Sequence, residues 1–147
     1  MWIKEIVESL VEKYDTNDPF KIATAKNIYV FEQDLHEEIL GFYKYIRRNK
    51  FIYINSNLGE EQKIFTIAHE LGHSEIHHRL NTPFLKRKTL FSTDKIETEA
   101  NIFAVELLLP DRVIYEHKDE NLTLNEIANI YSVPSEVAHL KNLRNVR

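Results

Sequence analysis

Between Trp2 and Tyr14 the apolar positions Ile3, Ile6, Val7, Leu10, Val11 and Tyr14 recur three and four apart, the spacing of one helix face. Asn17 or Asp18 followed by Pro19 marks a fresh helix start, and a second short helix runs on through Phe20, Ile22, Ala23 and Ala25. The pattern then changes. Ile28-Tyr29-Val30-Phe31 is rich in β-branched and aromatic residues and reads as a strand. After an acidic loop from Asp34 to Glu38, the runs Ile39 to Ile46 and Phe51 to Ile54 flank Arg47-Arg48-Asn49-Lys50, which predicts a β-hairpin with a basic turn. Three neighbouring strands predict a small antiparallel sheet.

The next apolar run is helical, from about Glu60 to about His78, with Asn81-Thr82-Pro83 as its stop. Residues 84 to 94 have no clear period. Ser92, Thr93 or Asp94 caps the following helix, Lys95 to Leu109, and Pro110 terminates it. Asp111 to Lys118 reads as a weak helix, Thr123 caps another, and Val133-Pro134-Ser135 starts a last one. The fold class expected is α+β, in a single domain over residues 1–147. Glu126 to Val137 resembles half of a helix-turn-helix, but its surroundings are acidic and packing against the core is the expected role.

Composition narrows this picture. The 147 residues are 43% hydrophobic, enough for a core, and only three Gly and four Pro argue against low complexity. No stretch of eighteen apolar residues predicts a membrane span, and the first residues lack a signal-peptide core. The absence of cysteine excludes disulfides, thiolate zinc sites and cysteine nucleophiles, and fits a reducing cytoplasm. A net charge of −4 gives no global attraction to nucleic acid.

The chemistry gathers at His69-Glu70-Leu71-Gly72-His73. Residues four apart on a helix lie one turn apart on the same face, so His69 and His73 project together and can hold one metal ion. Glu70 stands one step round, within reach of a metal-bound water. This is the HExxH zinc signature. Ile64, Phe65, Ile67, Ala68, Leu71 and Ile76 make the helix apolar on most of its circumference, so the histidines form a polar stripe on a buried helix. Buried polar groups need partners, and a metal supplies one. The metzincin extension is absent, since Ile76 and Arg79 stand at its Gly and third-His positions.

A catalytic zinc takes three protein ligands and leaves one position for water. The helix after Asp94 offers Glu97 and Glu99. At about 100° per residue, Ile96, Ala100, Phe103, Ala104 and Leu107 define its core-facing side. Glu97 falls on one flank of that side, near Ala104 and Leu108. Glu99 falls on the other, beside Glu106, where both carboxylates are expected to face water. Glu97 is therefore the expected third ligand. Asn101, one turn on, is placed to orient a metal-bound histidine. Zinc plus one further donor must stabilise the oxyanion. His77, His78 and Tyr115, with Arg79, Tyr131 and His139, are the candidates, and His77 can instead orient a neighbour. Lys86-Arg87-Lys88 between apolar flanks lines a substrate groove or a solvated loop.

The two motifs together, HELGH followed by Glu97-Thr98-Glu99-Ala100-Asn101-Ile102-Phe103-Ala104-Val105-Glu106-Leu107-Leu108-Leu109-Pro110, resemble the ImmA/IrrE family of metallopeptidases. The resemblance implies a zincin-like domain and zinc-dependent endopeptidase activity, with Zn2+ as cofactor. It also implies a protein substrate, an XRE-type helix-turn-helix repressor of a phage or mobile element, with no direct contact to nucleic acid or membrane. Two rivals follow. One is a regulatory module that keeps zinc and binds a repressor without cutting it. The other is a structural zinc protein, which would close all four coordination positions with protein ligands.

Overall fold

Asn55 is the pin of the sheet. Its side-chain amide donates to the carbonyls of Leu35, His36 and Ile39, and its oxygen accepts from the Asn57 amide at 3.0 Å. One buried side chain thus fastens the loop after the first strand to the end of the third. The computed structural model describes residues 1–80, 82 and 84–144. Its strands are β1 (Tyr29–Gln33), β2 (Ile39–Ile46), β3 (Asn49–Asn55) and β4 (Leu85–Lys86), in the order β1-β3-β2-β4.

The expected three-stranded antiparallel sheet is corrected in two respects. There are four strands among the described residues, and β1 runs parallel to β3, Tyr29 beside Phe51 and Phe31 beside Tyr53. The β2–β3 hairpin is antiparallel as its pattern predicts, with Ile46 opposite Asn49. Arg47 and Arg48 form its two-residue turn at φ 51° and 69°, the left-handed backbone a tight hairpin needs. Since β3 returns between β1 and β2, the loop 34–38 cannot be a hairpin and β1 must lie parallel to its neighbour. β4 pairs with the outer edge of β2; two residues are too short to leave a period in the sequence.

Seven helices are described. α1 (Trp2–Tyr14) buries Ile3, Val7 and Leu10, and α2 (Pro19–Ala25) starts on the Asp18 carboxylate, which accepts from Phe20 and Lys21 amides. α3 (Glu60–Ile76) lies against β2, β3, α2 and α4. It stops two residues before the expected His78. The expected stop at Asn81 and Pro83 falls on residues outside those described, while Thr82 lies just beyond the helix. Residues 87–91 form one 3-10 turn, and α4 (Lys95–Leu108) begins at Asp94, whose carboxylate accepts from the Ile96 and Glu97 amides. α5 (Asp111–Glu116), α6 (Leu124–Ile130) and α7 (Ser135–Ala138) follow, α6 with a Thr123–Glu126 capping box. Ile127, Ala128, Val133, Val137 and Ala138 are buried, so α6 and α7 pack on the core. No helix among the described residues is long and apolar enough to cross a membrane.

Glu106 does not face water, contrary to the helical-face expectation. It is buried, and the fully enclosed Lys141 ammonium donates to its Oε1 at 2.7 Å and to Asp111 at 2.7 Å. The Asn142 amide takes the other Glu106 oxygen, and Lys4 of α1 bonds Asp111. The network ties the C-terminal segment to α1, α4 and α5. Removing one partner of a buried pair strands the other charge, so Lys141→Ala is expected to destabilise the fold by about 3–5 kcal/mol in urea unfolding. A loss under about 1 kcal/mol would mean that Glu106 finds water or neutralises instead.

Candidate metal centre

His69 and His73 stand one turn apart on α3, both fully enclosed. Gly72 between them lets α4 close in: a Cβ there would sit 3.0 Å from the Phe103 Cβ. This close approach brings Glu97, near the start of α4, across the two imidazoles. Glu97 Oε1 lies 3.0 Å from His69 Nε2 and 3.0 Å from His73 Nε2. Glu70 turns inward as well, and its carboxylate lies within 4.8 Å of the histidine donors.

The outer nitrogens decide the protonation of the inner ones. His69 Nδ1 is 2.8 Å from Asn101 Oδ1, an acceptor, so Nδ1 carries the proton and donates. His77 Nε2 is 2.9 Å from Glu99 Oε1 and donates to it. A neutral His77 then offers Nδ1 as acceptor, and His73 Nδ1, at 3.0 Å, donates there. Both Nε2 atoms are left with lone pairs, aimed at a carboxylate oxygen. Three lone-pair donors at that spacing repel unless a cation lies among them. Tetrahedral zinc with bonds of ~2.0–2.1 Å separates its ligands by roughly 3.3 Å, so the donor set fits such an ion. Glu97 Oε2 and both Glu70 oxygens are buried without a hydrogen-bond partner among the described residues, the cost of which a cation would offset.

The electrostatics agree. Burial pushes His73 down to about 4, which keeps it neutral and able to ligate. Burial alone would raise the Glu97 carboxyl, but ring N–H groups at its Oε1 would outweigh this and hold it at about 2; with both Nε2 atoms unprotonated, that stabilising role falls to a cation between them. Burial, and then the neighbouring Glu97 charge, push Glu70 well above the usual carboxylate range.

The structure thus brings together His69, Glu70, His73, Glu97 and Asn101. It disperses the oxyanion candidates. His77 lies behind His73 with both ring nitrogens engaged, so it is placed to orient that ring. His78 is exposed against Tyr45, and its carbonyl accepts from the Tyr43 hydroxyl. Tyr115 is exposed on α5, where its hydroxyl bonds Lys118. Tyr131 bonds His117, and Arg79 and His139 are exposed. Glu99 was expected to face water; instead His77 holds it. That His77–Glu99 link escapes the sequence reading, although His77 follows His73 by four residues on the same face. A cleft of about 530 Å³ opens on Glu97, lined by Phe84, Lys86, Lys88 and Thr89. Lys86 and the exposed Lys88 stand at its edge, and with Arg87 they also border a neighbouring cleft beside Glu37 and Glu38.

With this geometry in hand, comparison with known proteins is decisive. The chain matches the IrrE N-terminal-like domain family over residues 23–141, a span that contains both helices of the site. The chain belongs to the ImmA/IrrE family. Within that family it is 52% identical over 145 residues to "Uncharacterized immunity region protein 2" of Bacillus phage phi105, covering 99% of this chain and 92% of that protein. It is 34% identical over 149 residues to "Metallopeptidase ImmA" of Bacillus subtilis strain 168, covering 95% of this chain and 83% of that one. Membership of ImmA/IrrE carries a metallopeptidase-type function and a metal ion, for which the buried His-Glu-His cluster offers a place.

Proposed function

We propose that this protein is a zinc-dependent endopeptidase that cuts a helix-turn-helix repressor of a phage or mobile element at a specific site, in the cytoplasm. The observation that carries the reading is the convergence of His69 Nε2, His73 Nε2 and Glu97 Oε1, beside a buried Glu70 whose oxygens have no other partner. His69, His73 and Glu97 would hold the ion. Zinc bound there would supply Lewis acidity that acidifies water and polarises a peptide carbonyl. Asn101 and His77 hold the two imidazoles in the ligating tautomer.

Glu70 moves the proton. Its carboxyl is raised by burial and by the Glu97 charge, and a cation held beside it would offset that rise and leave it able to accept a proton. Glu70 takes a proton from the attacking water and delivers it to the departing peptide nitrogen. Among the described side chains at the cleft, Lys86 and Lys88 are the cations available to steady the carbonyl oxygen or a substrate carboxylate. The repressor as substrate rests on the family resemblance, and the phage immunity-region relative supports it.

Metal analysis tests the ligand set. The purified protein is expected to hold about one zinc per chain, and His69→Ala to lose it. Unchanged stoichiometry in that variant would remove His69 from the site.

A further inference from the structure

The sheet has a second face, turned away from α3. The register places Tyr29 and Phe31 of β1, Phe51 and Tyr53 of β3, and Phe42 of β2 on it together. Their rings form one continuous series. Tyr29 stacks on Phe51 at 5.4 Å, Phe31 lies 5.5 Å from Tyr53, Tyr53 stacks on Phe42 at 4.7 Å, and Phe42 meets Phe84 at 4.7 Å. Tyr29, Phe31 and Phe84 are 51%, 44% and 45% exposed, Phe51 and Tyr53 are half-buried and Phe42 is buried beneath its neighbours, so the series is open to solvent at both ends. An exposed apolar surface of this extent marks an interaction site.

We infer that this aromatic face is the docking surface for the protein substrate, gripping an apolar patch of the folded repressor while its scissile segment enters the cleft at Glu97. The inference rests on the peptidase reading for the identity of that partner. Continuity carries it: Phe84 ends the aromatic series and also lines the cleft that opens on Glu97. Charge adds the partner's rim. No outward position of β1, β2 or β3 carries a carboxylate, Lys44 lies over the Phe42 ring, and Arg47 and Arg48 stand at the hairpin tip. The patch that fits is therefore apolar with an acidic border. Ring geometry argues against nucleic acid. The planes are within 18–23° of parallel at the Tyr29–Phe51 and Phe42–Tyr53 contacts, so these ring faces are spent on each other. Base stacking needs open faces.

The test uses the full zinc-loaded chain carrying Glu70→Gln, so that binding is read without cleavage, and as probe the intact helix-turn-helix repressor that the unsubstituted chain is proposed to cut. Tyr29→Ser with Phe31→Ser is expected to weaken binding at least tenfold in titration calorimetry, with zinc content and melting temperature retained. Phe31→Leu, which keeps an apolar side chain, is expected to bind nearly as the parent does. Unchanged affinity in the double variant overturns the inference, as does a parent that does not bind the repressor at all. Should the double variant unfold, iodination of Tyr29 in the parent decides: bound repressor is expected to protect the ring, and an unprotected ring overturns the inference. A single-stranded oligonucleotide that displaces the repressor, or a chain dimer that the double variant dissolves, also overturns it. Failure of the peptidase reading is seen separately, as binding without any cleavage by the Glu70 form.

Discussion

Glu70→Gln is expected to keep its zinc and lose peptide hydrolysis by about 10²–10⁴-fold, the range that a positioned general base contributes. Glutamine matches glutamate in size and leaves His69, His73 and Glu97 undisturbed, so the fold and the metal should persist. It cannot accept a proton from water at neutral pH. It also removes a carboxyl that burial makes costly to ionise, so the variant is expected to be at least as stable as the parent without metal. Zinc content and initial rates on one preparation check both halves. Retained activity would take Glu70 out of the mechanism. Undiminished repressor inactivation in cells, with no cleavage by either form, would favour the binding module that keeps zinc and does not cut.

The second large effect separates the two carboxylates of α4. Glu97→Ala is expected to abolish stoichiometric zinc binding, because it removes the oxygen that both Nε2 atoms face at 3.0 Å. Glu99→Ala acts at one remove. It frees His77 Nε2, which relaxes the tautomer that His77 imposes on His73, and losses of this kind cost about 10–100-fold in metal affinity. Competition with a chromophoric chelator measures both variants. If Glu99→Ala loses the metal and Glu97→Ala keeps it, the ligand assignment on α4 is reversed.

The sequence carried some of this arrangement plainly. α3 and α4 are long and periodic, so their existence and register are local properties. Asp94 caps α4 as one of the residues expected to do so, and its register brings Glu97 and Asn101 to the imidazoles on the face where helical geometry puts them. What stayed hidden depends on distant partners. β1 pairs with β3 because Asn55 fastens a loop twenty residues earlier in the chain, and no periodicity records that. β4 is two residues long. Glu106 and Glu99 read as surface charges because a carboxylate usually is one. Glu106 is buried because Lys141 arrives from the end of the chain, and Glu99 is held half-buried by His77 reaching across from α3. For the oxyanion, residue type near the motif is all that the sequence offers. His77 is drawn behind His73, while Tyr115 sits on a helix that faces elsewhere.

Mass spectrometry of a candidate helix-turn-helix repressor after incubation with the zinc-loaded protein tests the proposed activity most directly. Two complementary fragments are expected, their masses summing to the intact repressor plus one water, and neither should form with Glu70→Gln or after chelation. An intact repressor in every sample, with zinc verified in the protein, would contradict the assignment of this chain as a repressor-cleaving peptidase.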